Sequence, residues 1–156
     1  MGKVDRRRFI KAVAGTASLA AVGITGFAPT AAQAAWPKAA FDAKTSKDVI
    51  DTMFKGVPVE KSDAVTILAP ELAENGGVVP ISVSTTLKNV ESITVLAEDN
   101  PRALTSTHKL GKRAAGSVSV RVKLAKTQNV TAIVMAQGKA YSATRRITVS
   151  VGGCGG

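Results

Sequence analysis

The feature that most constrains this chain is the period of its apolar residues. Beyond Ala64 they return at every second position: Val79, Ile81, Val83, Thr85 and Leu87, then Val118, Val120, Val122 and Leu124, then Ile147, Val149 and Val151. The intervening Ser117, Ser119, Arg121 and Lys123, and later Arg146, Thr148 and Ser150, are polar. Successive side chains of an extended backbone point to opposite faces, so this pattern makes strands with one buried face. Its β-branched residues suit that conformation. Asn75-Gly76-Gly77, Asn100-Pro101, Gly111 and Gln137-Gly138 punctuate the runs as turns. The spacing predicts six or seven strands, near 64–69, 78–87, 91–97, 103–107, 115–125, 129–136 and 139–151. Val130–Ala136 is apolar on both faces, which marks a central strand or one whose outer face meets another protein.

One helix precedes the strands. It is expected over Ala40–Lys55, with Thr45 or Ser46 as cap, Asp48 in the first turn and Gly56 as the stop. Val49, Ile50, Met53 and Phe54 form a single apolar face that packs on the body of the domain, with Met53 as filler. The expected fold class is all-β: an immunoglobulin-like β-sandwich of six to seven strands, with one N-terminal helix and a flexible Gly-rich C-terminal tail. With one Cys and one Trp in the chain, the Cys…Trp…Cys hallmark of antibody domains is absent, and so is any intrachain disulfide.

The N-terminal segment reads as an address. Lys3, Arg6, Arg7, Arg8 and Lys11 stand against Asp5, an Ala/Gly/Val-rich stretch runs from Ala12 to Ala28, and Ala32-Gln33-Ala34 supplies a small-x-small cleavage pattern. Arg6-Arg7 with Arg8-Phe9-Ile10-Lys11 resembles the twin-arginine (Tat) export signal, with Asp5 where Ser or Thr is usual and Ile10 where Leu is usual. A membrane anchor is the competing reading. The apolar run is short and built of weakly apolar Ala and Gly, against the roughly 20 residues a bilayer-spanning helix requires. Cleavage is expected after Ala34, with export to the periplasm and no membrane attachment afterwards.

The leader carries much of the charge. Taking its five basic residues and Asp5 from the 21 Lys+Arg and 11 Asp+Glu lowers the net charge from +10 to +6. The charges left are interspersed and aromatic residues are few, so no nucleic-acid surface is expected. A moderately basic exported domain suits an anionic substrate or acidic protein partners.

The chemistry concentrates in Gly152-Gly153-Cys154-Gly155-Gly156. Each glycine has maximal backbone freedom to lose on ordering, so this stretch is expected to stay unpacked, with the thiol within about 10 Å of Val151. A catalytic thiol needs a scaffold and an activating base, which a glycine tail does not supply. A carried substrate needs the opposite: a slim, flexible arm that enters the clefts of other proteins. An incidental Cys in a frayed terminus is the bland alternative, but a lone thiol in an exported protein invites oxidation and mixed disulfides. Cys154 is therefore the expected point of covalent substrate attachment, and Gly152, Gly153, Gly155 and Gly156 the flexible arm. Prenylation does not apply, because that signal needs three residues after the Cys. No catalytic residue, metal ligand or cofactor is expected. His108, in a polar stretch, reads as a surface residue, with base to Cys154 as its alternative. Arg145-Arg146 and Lys112-Arg113 read as solvated positions, with an anionic adduct or acidic partner as the alternative, and Trp36 as part of a loose arm.

The leader, the small β-domain and the ending Gly152-Gly153-Cys154-Gly155-Gly156 together resemble the SoxY family, the sulfur-carrier subunit of the bacterial Sox thiosulfate-oxidising system. Ala69-Pro70-Glu71-Leu72-Ala73-Glu74-Asn75-Gly76, Val79-Pro80 and Lys126-Thr127-Gln128 are also similar to family segments. The resemblance implies that a c-type cytochrome enzyme couples thiosulfate oxidatively to Cys154. A metal-dependent hydrolase then releases sulfate and leaves sulfane sulfur on Cys154. A sulfur dehydrogenase, where present, oxidises that sulfur before a second hydrolysis. It also implies a complex with the β-sandwich subunit SoxZ, and covalently attached sulfur intermediates in place of any cofactor.

The organisation expected is a cleaved leader over 1–34, an N-terminal arm and helix over 35–62, the sandwich over 63–151 and the carrier arm over 152–156. Two other functional classes remain open. A donor carrying a thiocarboxylate on a C-terminal Gly-Gly fits Gly155-Gly156, but its ATP-dependent activation is cytoplasmic. A stand-alone thiol enzyme would need a base beside Cys154.

Overall fold

The computed structural model describes residues Pro37–Ser150. The leader with Arg6 and Arg7, the residue Trp36, and the tail with Gly152, Gly153, Cys154, Gly155 and Gly156 lie outside the described residues.

The alternation of apolar and polar residues builds two sheets. The larger has the order β1 (Val59–Lys61), β9 (Lys139–Val149), β8 (Gln128–Ala136), β5 (Val90–Ala97) and β6 (Leu104–Lys109), and β3 (Leu72–Ala73) also pairs with β9. The smaller has the order β2 (Val65–Leu68), β4 (Val79–Thr85) and β7 (Ser117–Val122). Every run expected to be a strand is one, and the chain has the expected all-β, sandwich-like architecture. Val65, Ile67, Val79, Ile81, Val83 and Val122 of the smaller sheet meet Ile93, Val95, Val130, Ala132, Val134 and Ile147 of the larger in one buried core.

The two short strands are additions to the expected set. After Leu68, β2 leaves the smaller sheet through Ala69-Pro70-Glu71 and reappears as β3 on the larger one. Pro70 has no N–H to give a ladder, so the change of sheet falls where pairing is already interrupted. The strand β1 lies within 35–62 and pairs parallel with β9, Val59 to Ala140 and Lys61 to Ser142.

The single expected helix is two: α1 (Lys38–Asp42) and α2 (Ser46–Phe54). Thr45 is the reason. It sits in extended backbone with φ −117° and ψ 150°, and its Oγ1 accepts the Asp48 N–H at 3.1 Å, which starts a new helix. Ala43 is extended too, and its carbonyl accepts the Ala103 N–H at 3.2 Å. The stop comes one residue before the expected glycine, with Lys55 left-handed at φ 46° and Gly56 at φ 85°. Between β8 and β9, Gln137 and Gly138 are both left-handed, at φ 53° and 73°. That is the two-residue hairpin geometry whose twist matches the flanking strands.

The helices settle the two-sided strand. Ile133 and Met135 face away from the inter-sheet core and pack in a second cluster with Val49, Phe54, Ala40, Leu96 and Ala140. The chain's own helices cover the outer face of β8 at Ile133 and Met135, which makes it a central strand. As expected, Val49, Ile50, Met53 and Phe54 supply the covering face.

Ile133 is fully buried under the helices. Ile133→Ala should therefore lower unfolding free energy by about 2–5 kcal/mol in urea titration, the cost of a cavity in a closed core. A loss under about 1 kcal/mol would show that this face is not covered.

Candidate functional site: the root of the cysteine tail

Cys154 and its glycines lie outside the described residues, and the tail that carries them begins at the end of β9. Ser150 is the last described residue, four before Cys154. It is held firmly. On one side β3 runs parallel to β9, pairing Leu72 with Thr148 and Ala73 with Val149. The Thr148 N–H donates to the Glu71 carbonyl at 2.9 Å and the Ser150 N–H to the Ala73 carbonyl at 3.1 Å. The Ser150 hydroxyl adds a bond to the Glu74 carbonyl at 3.2 Å. On the other side the Thr127 Oγ1 accepts the Val149 N–H at 2.9 Å and donates to the Val149 carbonyl at 3.4 Å.

Two further groups hold these clamps in place. Gly76 is buried, and a Cβ there would come within 2.6 Å of the Leu124 carbonyl oxygen and 2.7 Å of Val149 Cγ1. Only glycine permits that approach. Gln128, 1% exposed, holds the segment bearing Thr127. Its Oε1 accepts the Asp99 N–H at 2.8 Å, and its Nε2 donates to Asn100 Oδ1 at 3.0 Å and to the Lys126 carbonyl at 3.3 Å. Asn100 in turn donates to the Lys123 carbonyl at 2.7 Å and accepts the Ala125 N–H at 3.1 Å. A buried amide with all these partners fixes the loop; left unpaired it would cost about 1–3 kcal/mol.

The segments 69–76 and 126–128, distant in sequence, thus meet around the last residues of β9. The sequence marks them by resemblance to a family and, at Asn75-Gly76, as a turn, but not Thr127, Asn100 and Gln128 as supports of the tail. The signal was available in Asn75-Gly76-Gly77, read simply as a turn. The Asn75 Oδ1 does accept the Gly77 N–H at 2.8 Å, but Gly76 also makes the close approach to β9.

The charged residues take varied positions. Arg145 is half-buried and not fully solvated: it reaches Glu71 at 3.5 Å, and its Nε is buried with no hydrogen-bond partner among the described residues. Arg146, Lys112 and Arg113 are exposed. Ion pairs of this exposure contribute about 0–1 kcal/mol. Shifts in proton affinity appear on the helices. The hydrogen bond from Lys38 holds the Asp42 carboxyl below its usual range, and the bond to Asp51 holds the Lys47 ammonium above its own.

Reach decides which groups can serve Cys154. Four residues span at most about 14 Å. His108, the chain's one histidine, is half-buried on β6, and its Nε2 has no hydrogen-bond partner among the described residues. It pairs in register with Ile93, which pairs with Val134, which pairs with Tyr141. Three strand spacings of about 4.8 Å and nine residues of about 3.3 Å place it roughly 30 Å from Ser150. The thiol cannot use it as a base. The cleft lined by Lys55, Gly56, Val57, Pro58, Glu60, Gly138 and Lys139 lies at the opposite end of β9. It is equally far. Among the described residues no group of three or more His, Cys, Asp and Glu is placed to hold a metal ion.

A model of the family described as sulfur oxidation protein SoxY matches residues 50–154, a span that runs through Cys154. The chain belongs to the SoxY family. The fold agrees. The sulfur carrier protein SoxY from Chlorobium limicola f thiosulfatophilum superposes with a TM-score of 0.62 at 34% identity, over 67% of this chain and 96% of that one. A superoxide reductase (neelaredoxin) from Ignicoccus hospitalis superposes with a TM-score of 0.53 at 16% identity, over 59% of this chain and 95% of that one. That second likeness is one of fold alone. No curated protein sequence matches.

In this SoxY-family chain Thr127 clamps the root. Thr127→Val should leave the fold intact, cost about 1–3 kcal/mol, and speed amide hydrogen exchange at Val149 and Ser150. Unchanged protection at both amides would show that the clamp does not hold the strand end.

Proposed function

We propose that the chain is a periplasmic sulfur carrier of the Sox system, exported by the Arg6-Arg7 signal, which binds thiosulfate-derived sulfur covalently on Cys154 and presents it to partner enzymes. The observation that carries this reading is the family match running through Cys154. The tail root supports it: β9 delivers the chain to a fixed exit point, from which a thiol flanked by two glycines on each side departs.

Coupling joins the Cys154 sulfur to the outer sulfur of thiosulfate. The S–S bond forms as the thiol and thiosulfate lose two electrons, which pass to a c-type cytochrome enzyme, and the thiol proton goes to solvent. Water then cleaves the terminal sulfonate as sulfate in a hydrolase, leaving a persulfide on Cys154. A sulfur dehydrogenase, where present, oxidises the persulfide sulfur before a second hydrolysis restores the thiol. In all of these steps the chain is the covalent substrate and not the catalyst. The 30 Å between His108 and Ser150 speaks against a stand-alone thiol enzyme, since the chain has no other histidine to act as base. The carrier works as a heterodimer with a SoxZ-like β-sandwich subunit, and needs no cofactor beyond the sulfur it holds.

Cys154→Ser should fold, retain its partner subunit and lose thiosulfate-dependent sulfur loading altogether, as read by intact mass. Normal loading of that variant would refute the carrier reading. Bulky residues at Gly153 and Gly155 should slow hand-over to partner enzymes by far more than they slow alkylation of the thiol. Equal loss of both would indicate a fixed active site in place of a swinging arm.

A further inference from the structure

The exposed large apolar side chains among the described residues are Leu68, Leu72 and Val78, at 71%, 54% and 54% exposure. All three fall in one stretch of eleven residues, the stretch that forms the root of the tail. Leu68 ends β2, Leu72 opens β3, and Val78 immediately precedes β4. Large apolar side chains exposed within one short segment stand out against singly scattered ones, which need no explanation.

Their distance from the tail follows from the pairing. Leu72 is in register with Thr148, two residues before Ser150, so it lies within about 10 Å of the point where the tail starts. Val78 follows Gly76 by two residues, and Gly76 sits against Val149. Leu72 is thus closer to Ser150 than the roughly 14 Å that the tail can span to Cys154, and Val78 lies within about 7 Å of Gly76. Any protein whose active site takes in Cys154 must therefore bring its entrance down onto this end of the sandwich. A short tether leaves it nowhere else to rest.

We infer that Leu72 and Val78, with Leu68 beyond them, form an apolar docking face for the enzymes that act on Cys154. It receives a non-polar rim around the mouth of the enzyme's active site. The inference rests on the carrier reading and adds a recognition surface to it. The rigid root gives the face its value, because the exit of the tail and the apolar residues keep one fixed relation through Thr127, Gly76 and β3. Burying a few apolar side chains suits a carrier that must also leave: a face of this size gives a transient contact, not a permanent one.

The test uses the full mature chain with its partner subunit, thiosulfate, and the purified cytochrome enzyme that couples thiosulfate to the carrier. Initial loading rates are measured against carrier concentration for wild type, Leu72→Ser, Val78→Ser and Leu68→Ser, with Lys88→Ser as an exposed control. The double variant Leu72→Ser/Val78→Ser should raise the carrier concentration for half-maximal rate about tenfold, with the maximal rate and the iodoacetamide alkylation rate of Cys154 unchanged. Val78→Ser alone, outside β3, should move in the same direction, so a disturbed root cannot mimic the effect. Loading of wild type and variants with the same concentration dependence would overturn the docking face and leave the carrier reading standing. Loss of the partner subunit from the variants on size exclusion, with enzyme kinetics unchanged, would also overturn it and assign the face to that subunit. No loading of Cys154 in wild type would bring down both.

Discussion

Strand β9 is held on both edges near its start and again at its end, by strands or by Thr127, and the rest of the molecule depends on that. One edge runs antiparallel against β8 from Lys139 to Ile147, and the other is taken first by β1 and then by β3. A strand paired on one edge only would fray at its end, since terminal backbone groups have little to lose by opening. Here the last described residues bond to Glu71, Ala73, Glu74 and Thr127, which hold the strand end in place. The sandwich fixes the position and direction in which the chain leaves it. The short parallel strand β3 is small in area and large in consequence.

The layers serve this strand. The inter-sheet core buries Ile147 from one face, and the helices bury Ala140 near its start from the other. What the fold leaves open is as informative. The histidine lies some 30 Å away along the sheet from the tail root, and the cleft lies at the opposite end of β9. His108 and the cleft are thus both remote from the tail root, while Glu71, Glu74 and Arg145 lie near it. That separation fits the proposed carrier role, in which partner enzymes act on Cys154, and the apolar side chains at the root lie where the proposed docking would occur.

Much of the fold was legible because burial imposes a period. Val79-Ile81-Val83 and Val118-Val120-Val122 had to be half-buried strands, and Gln137-Gly138 had to turn. Thr45 as a helix cap was legible too, but not the break it causes, since Ala43 is a good helix former and its extended backbone is set by the bond to Ala103. The strands β1 and β3 carried no readable signal. With three and two residues they are too short to show a period, and parallel pairing with a strand some 80 residues away is a tertiary fact. The same reason hid the outer face of β8: Ile133 and Met135 demanded a cover, and only the path of the helices shows what it is. At the site, Cys154 and its glycines stood out by composition. Their support did not, because Thr127, Gln128 and Asn100 act through bonds between segments that only the fold brings together.

The central claim is that sulfur travels on Cys154. Its most direct test is peptide mass mapping of the protein isolated, without reductant, from cells oxidising thiosulfate. The account predicts added mass of sulfane sulfur or of the thiosulfate adduct on the C-terminal peptide, localised to Cys154 and removed by a thiol reductant. A C-terminal peptide with an unmodified thiol throughout turnover, or with sulfur on the Gly156 carboxylate instead, would contradict it.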